Sequence, residues 1–112
     1  MAISPKCLIE PTLLTASNAS YYTATKGVTI IDKMTVTNVT TLYETVTVYL
    51  VPSGITPAGS HRIATAISIA PSETYEFTKA EGHVLNTGDS IQAFSSTASA
   101  LSFRVSGREV LI

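Results

Sequence analysis

Three features of the sequence predict an all-β protein folded as an antiparallel β-sandwich or jelly roll. Apolar and polar residues alternate with a period of two, β-branched residues dominate the middle of the chain, and no window repeats apolar residues at helical spacing. Clusters of Gly, Pro, Ser, Asn and Asp separate the alternating runs at short intervals. At 112 residues the chain has the length of one domain, so we expect residues 1–112 to form a single sandwich.

The first two predicted strands are weak, near residues 8–15 and 19–24, and the first strong alternation lies in residues 28–40. Four residues of this run share one parity and are predicted to face the core: Val28, Ile30, Met34 and Val36. Asp32 falls on the same parity. We interpret it as an inward charge paired locally, a guard against aggregation on an edge strand, or an interface residue, and we favour the edge guard.

The later runs continue the alternation and bring the total to seven or eight strands. Their predicted core residues are Val46, Val48, Leu50, Ile63, Ile67, Ile69, Leu101, Phe103 and Val105. Tyr43 and Tyr49 fall on the opposite parity of their strand. They either stiffen the sheet by pairing with threonines on neighbouring strands or form a tyrosine platform for a protein partner. Because each strand has one polar side, we expect antiparallel pairing throughout.

Turn signals lie between the runs, at residues 25–27, 52–59, 70–73, 86–89 and 95–99. The stretch EGHVLNTGDSIQAF places His83 six positions before Asp89, which raises the question of a catalytic pair. The chain has no G-x-S-x-G elbow to supply a nucleophile. The NTGD segment is typical of a tight turn, since Gly88 accepts positive φ and Asn86 and Asp89 bond to their own backbone. We therefore predict a β-hairpin between HVL and SIQAF.

Composition excludes several classes of function. Only 13% of residues are charged and the net charge is −1, with the basic residues scattered, so we expect neither nucleic-acid nor membrane binding. The N-terminal MAISPKCLIEP lacks the apolar run of a signal peptide, which predicts a soluble chain made in the cytosol. A surface covered mainly by Thr, Ser, Ala and Asn suits a subunit packed against neighbours.

No cofactor, metal or catalytic site is predicted, and we expect the protein not to be an enzyme. His61 and His83 belong to no metal-ligand pattern, and the acidic residues form no calcium loop. Cys7 is the single cysteine and lacks a recognisable histidine partner, so an inert thiol is the favoured interpretation.

Candidate contact residues come from three regions. The apolar ends, residues 1–15 and 106–112, are predicted docking arms. They dock either on the chain's own sandwich as an edge strand, which we favour, or on a neighbour by strand addition. The loop 52–62 is either a plain crossover or a segment that docks on a partner. With the tyrosines, the predicted interface residues are Ile3, Leu8, Ile9, Tyr43, Tyr49, Ile55, His61, Val110, Leu111 and Ile112.

Two stretches, IAPSETYEF and GHVLNTGDSIQAFSSTASALSFRVSGREV, resemble the second half of small β-sandwich structural proteins of tailed-bacteriophage virions. The stretch YYTATKGVTIIDKMTVTNVT is similar to their opening, so the likeness covers residues 20–110. It departs at Lys26-Gly27, where the pattern more often has a proline, and in the longer loop 52–62.

The resemblance implies a viral structural protein, most simply a capsid decoration or cement protein that stabilises the phage head in the virion. Its implied partners are the major capsid protein or other virion proteins and further copies of itself, as a dimer or trimer. Two alternatives stay open: a structural protein of the head–tail connector or tail, and a carbohydrate- or receptor-binding module. The absence of Trp counts against sugar binding.

Overall fold

The computed structural model describes residues 2–111, and these residues form an all-β fold with only two single-turn 3₁₀ segments, Gly59–His61 and Thr78–Ala80. This confirms the predicted fold class. The strands are Ala2–Leu13 (β1), Ala19–Thr23 (β2), Val28–Asn38 (β3), Glu44–Val51 (β4), Arg62–Ile69 (β5), Thr74–Glu76 (β6), Val84–Leu85 (β7), Ser90–Ser95 (β8) and Leu101–Leu111 (β9). No helix within residues 2–111 has the length and apolarity needed to cross a membrane.

Two antiparallel sheets pack as a sandwich in jelly-roll order. One has five strands in the order β1-β9-β3-β6, with β7 also paired to β3, and the other has the order β2-β8-β4-β5. Because β6 and β7 lie along the same side of β3, they act as one interrupted strand. Every connection except β4–β5 and β6–β7 crosses from one sheet to the other, which is how a jelly roll encloses its core.

The core lies between the inner faces of the two sheets. Strand β9 contributes Leu101, Phe103 and Val105, which are fully buried, as its alternation predicts. The ring of Tyr21 from the opposite sheet meets Phe103 edge-on, with 6.2 Å between ring centroids. The other fully buried large side chains are Leu14, Ile31, Met34, Val36, Val46, Val48, Ile69, Leu85 and Ile91.

A β-bulge in β3 corrects the predicted face of its first half. The register with β9 shifts between Ile31 and Lys33, so Ile31 and Met34 both face the core although they are three residues apart. Val28 and Ile30 consequently lie on the outer face of the sheet. The period of two could not show this inserted residue, because a bulge reverses the parity of every residue before it.

Asp32 lies at this bulge, and its predicted role as an edge guard is wrong. Strand β3 is central in its sheet, between β9 and the β6–β7 pair. The exposed Asp32 carboxylate accepts hydrogen bonds from the Nε of Arg108 on β9, at 3.1 Å to each of its oxygens. The residue therefore holds a cross-strand ion pair on the outer face.

The NTGD segment makes the predicted turn but not the predicted hairpin. Gly88 has φ +95°, Asp89 N–H donates to the Asn86 carbonyl, and the Asp89 carboxylate accepts from Asn86 N–H. However, β7 pairs with β3 in the five-stranded sheet, whereas β8 belongs to the other sheet. The turn thus connects the two layers of the sandwich.

Residues 2–13 and 106–111 of the two terminal arms lie in the chain's own five-stranded sheet. Strand β1 pairs with β9 from Ala2 opposite Leu111 to Leu13 opposite Ser102. The backbones approach closely at Gly107 of β9, where a Cβ atom would collide with the Ile30 carbonyl oxygen and lie 2.7 Å from Leu8 Cδ1. The outer edge of β1 has no neighbouring strand within residues 2–111.

Candidate functional site

The most exposed pair of large apolar side chains lies on the β3–β4 loop. We call residues 39–43 the loop tip. Val39 is 57% exposed, Leu42 69% and Tyr43 71%. Because three large apolar residues lie within five positions at one end of the sandwich, the loop tip is a candidate surface for a protein partner.

The loop tip is held from below by the fully buried side chain of Asn38. Its amide donates to the main-chain carbonyls of Leu42, at 2.7 Å, and Ile69, at 3.0 Å. Its oxygen accepts from the backbone N–H and the hydroxyl of Thr40, at 2.9 and 2.7 Å. Four hydrogen bonds from one side chain fix the loop onto the sheet, so the apolar side chains are presented in one arrangement.

Main-chain bonds tie the same loop to its two neighbours. Val39 N–H donates to the Ala100 carbonyl on the β8–β9 loop, and Asn38 N–H donates to the Glu73 carbonyl on the β5–β6 loop. The Asn38 carbonyl accepts from Ser72, a residue with φ +62°. The loop tip is therefore part of a connected group of loops.

Tyr43 and Tyr49 do not form a common platform. Tyr43 precedes the first residue of β4, whereas Tyr49 lies near the other end of that strand and is only 7% exposed. Its ring is covered by the Arg62 guanidinium, 5.4 Å from the ring centroid, and packs beside Phe94. Arg62 also donates to the Tyr49 hydroxyl, so Tyr49 is enclosed by its own sheet.

The β4–β5 loop presents Ile55, which is 53% exposed. Ile55 N–H donates to the Pro52 carbonyl, and Ser53 N–H donates to the Asp89 carboxylate, which fixes the start of the loop. His61 is half-buried and its Nδ1 accepts the Ala58 N–H at 3.0 Å. His61 thus closes its own 3₁₀ turn, and Ile55 is the large apolar side chain of this loop that is open to solvent.

The predicted contact residues of the termini divide between core and surface. Leu8 and Ile9 are buried in the chain's own core, where no partner can reach them in this fold. Ile3 is 53% exposed, Leu111 39% exposed and Val110 half-buried. Ile112 lies outside the described residues.

Several of these terminal residues join others on the outer face of the five-stranded sheet. Val110 pairs with both Ile3 and Val28, and Ile30 of the next rung pairs with Val84, which is 54% exposed. We call these five residues the terminal patch. The patch spans four strands, so only the folded sheet brings its members together.

A polar cluster lies behind the terminal patch, on the inner side of the sheet. The Tyr22 hydroxyl donates to Glu109 Oε2 at 3.0 Å and contacts the Thr29 hydroxyl at 2.9 Å. Lys6 Nζ lies 3.5 Å from Glu109 Oε1. Burial raises the pKa of Tyr22 and the neighbouring Glu109 carboxylate raises it further, while the Thr29 hydrogen bond opposes them. This hydroxyl holds its proton and serves as a donor.

An acidic cluster lies on the outer face of the five-stranded sheet. Lys33 Nζ lies 3.4 Å from Glu76 Oε1. A hydrogen bond to Glu76 raises the pKa of the Glu81 carboxyl, and partial desolvation and the Glu76 charge act in the same direction, while Lys33 opposes them. Lys33 thus pairs with Glu76, and its charge also acts on the Glu81 carboxyl.

The residues considered for chemistry are occupied in structural roles or stand alone. The Asp89 carboxylate accepts backbone hydrogen bonds, and His83 is exposed with its backbone paired to Ile31. Within residues 2–111, no three His, Cys, Asp or Glu side chains are grouped to hold a metal ion. Between the edges of β5 and β6 lies a groove of about 200 Å³, lined among others by Ile67, Tyr75 and Lys79.

The sequence predicted contact roles for Tyr43, Ile55 and Ile3, which are exposed in the structure, and did not single out the equally exposed Val39, Leu42 and Val84. The sequence does mark Val39 and Leu42. In the stretch NVTTLYE, apolar residues follow the Asn that ends a predicted strand, and they do not continue the alternation of that strand. Apolar residues outside a periodic run are candidates for an exposed apolar loop.

Comparison of the chain with protein-family models, with curated proteins and with solved structures gave no match.

Proposed function

We propose that this protein is a structural subunit of a phage particle, of the decoration or cement kind, which docks on a neighbouring virion protein through its loop tip. The observation that carries the proposal is the loop tip itself, with Leu42 and Tyr43 about 70% exposed above a fully buried Asn38. Apolar and aromatic side chains held in a fixed arrangement are what a protein interface uses as anchors.

Rigid presentation favours binding, because side chains that are already ordered lose less conformational entropy when the partner arrives. Asn38 supplies this order through bonds to Leu42 and Thr40. The tip is small, so a single contact is expected to be weak. Many copies on one shell would sum such contacts by avidity, which suits a protein that stabilises a large assembly.

The low charge content supports the same proposal. With 13% of its residues charged, the subunit has a surface of mainly uncharged polar groups, which costs less to desolvate than a charged one. Burial of the exposed apolar residues at the loop tip and the terminal patch then provides the favourable free energy of binding. The same features would serve a subunit of the head–tail connector or the tail.

The test is the copy number of the polypeptide per purified phage particle, measured by quantitative mass spectrometry against the major capsid protein. A number comparable to that of the capsid subunits supports a shell-covering protein. A number that matches one ring or a few fibres moves the protein to the connector or tail, and absence from the particle refutes the virion role.

The loop tip is tested in the same particles with the double change Leu42→Ser and Tyr43→Ser. We expect the double variant to fold normally, since both side chains are exposed, and its incorporation to fall at least about tenfold. Ile55→Ser is the matched control, because Ile55 is 53% exposed but lies on the β4–β5 loop, beyond the other end of β4 from the loop tip. Equal incorporation of the two variants would show that the loop tip is not the docking surface.

A further inference from the structure

The outer face of the five-stranded sheet carries charges that are complementary to a second copy of the same face. Arg104 of β9 pairs with Thr35 of β3, and Thr35 pairs with Glu76 of β6, so all three lie in one rung. Neighbouring strands are about 4.8 Å apart, which places the Arg104 and Glu76 backbones about 10 Å apart on opposite sides of β3.

The two sides of this rung have unbalanced charges of opposite sign. Arg104 is exposed, and no carboxylate within residues 2–111 lies at salt-bridge distance from its guanidinium. On the other side, Lys33 pairs with Glu76, and the Glu81 carboxyl lies close enough to both for their charges to act on it. Among the described residues, Thr35 is therefore flanked by a cation that has no carboxylate partner and by two carboxyl groups that have one cation between them.

The apolar terminal patch lies on the same face, toward the Val28 end of β3. Ile3 and Val84 are more than half exposed, and Val28, Ile30 and Val110 are half-buried. Arg108 lies among them, but its guanidinium is already paired with Asp32. The face is thus apolar at one end and charged in the middle.

We infer that two copies of this chain pack face to face through this surface, related by a two-fold axis that runs along β3. Rotation about this axis leaves the position of each residue along the strand direction unchanged. It places the β9 side of one copy over the β6–β7 side of the other. Arg104 of each copy then meets the Glu76–Glu81 pair of the other, and the two terminal patches stack on each other. A two-fold axis perpendicular to the strands would instead set the apolar end of one copy on the polar end of the other.

Packing through the face is favoured over pairing through the free edge of β1. Pro5 and Pro11 lie within β1 and have no N–H to donate, and prolines on an edge strand prevent a further strand from adding. The face is larger. Strand β3 has 11 residues, so the face measures about 35 Å by about 19 Å, close to the ~800 Å² per partner of a standard interface.

This inference rests on the proposed function in one respect: the second copy is the homo-oligomeric partner that a structural subunit would have. Its test is separate, because it needs only the purified chain. Sedimentation equilibrium of the wild-type protein is expected to show a reversible monomer–dimer equilibrium with a Kd on the order of micromolar.

Charge reversal tests the geometry. Arg104→Glu places a carboxylate opposite the Glu76–Glu81 pair of the other copy. The two-fold axis repeats this repulsion at a second, identical contact, so the change is expected to weaken the dimer about a hundredfold. The double variant Glu76→Lys with Glu81→Lys does the same with positive charges. Mixing the two variants makes both contacts complementary again, so the mixture is expected to form heterodimers of near wild-type affinity.

Lys79→Glu is the matched control, since it reverses an exposed cation on the 3₁₀ turn and should leave the dimer intact. Thermal unfolding of each variant confirms that it is folded. A wild-type chain that stays monomeric at several hundred micromolar overturns the inference. So does a dimer or trimer that Arg104→Glu leaves unchanged, or a mixture that does not recover. None of these outcomes affects the copy number in the particle.

Discussion

Replacing Asn38 by alanine tests whether the buried amide organises the loop tip. Four hydrogen bonds are lost. The bond to the Ile69 carbonyl is buried, and leaving that acceptor unsatisfied costs about 2 kcal/mol. The other three partners lie nearer the surface, where water replaces part of each bond, so they add roughly 0.5 kcal/mol each. The expected loss is therefore about 3.5 kcal/mol, a large share of the ~5–15 kcal/mol that stabilises a domain of this size.

The loss is measured by urea unfolding followed by far-UV circular dichroism and by tyrosine fluorescence, which is suitable because the chain has no Trp. Asn18→Ala is the matched control. Asn18 is exposed and its amide makes one hydrogen bond, 2.8 Å to Gln92 Oε1, so its loss should cost less than about 0.5 kcal/mol. Asn38→Asp keeps the acceptor for Thr40 but removes the donors to Leu42 and Ile69, and it should destabilise as much as alanine. If Asn38→Ala costs no more than Asn18→Ala, the network does not hold the loop.

Two further predictions concern the sheets. Because the pKa of Tyr22 is raised in the folded state, the stability it contributes is intact below about pH 10, its unfolded value, and falls as the pH rises above it. Tyr22→Phe should flatten this fall in urea unfolding at pH 9 to 11, and an unchanged slope would rule out Tyr22 as its source. Gly107→Ala should destabilise by about 3 kcal/mol, since the new methyl collides with the Ile30 carbonyl of the neighbouring strand, whereas Gly59→Ala adds a methyl with no atom within 4 Å. Equal melting temperatures for the two glycine variants would show that β9 and β3 can separate at little cost.

The turns were the most predictable part of the fold. Four of the five predicted turn segments lie wholly between strands, and the fifth, 95–99, begins at the last residue of β8, because Gly, Pro, Asn and Asp act on the backbone within three or four residues. The alternation of β9 was equally sufficient, since the burial of that strand alternates without interruption from Leu101 to Gly107. The hairpin assigned to NTGD was wrong for a different reason. A turn fixes the direction of the chain locally, but the sheet that the next strand joins depends on partners far away in sequence.

The candidate site was only partly predictable. Ile3, Tyr43 and Ile55 were expected at the surface and are there, but Tyr49 is covered by Arg62 and Phe94. Parity distinguishes the two sides of a strand, and it cannot show that a residue on the outer side is covered by a neighbouring side chain.

The sequence by itself determined the fold class, the turn positions and the core of the regular strands, because these depend on short-range periodicity and on backbone preferences. Only the tertiary structure decided the jelly-roll order, the reversal of parity at Asp32, the buried support of the loop tip by Asn38, and the joining of Ile3, Val28, Val84 and Val110 into one patch. Each of these depends on pairs of residues that are distant in the chain. Such pairs are selected by the packing of the whole domain, and a single sequence carries no local mark of them.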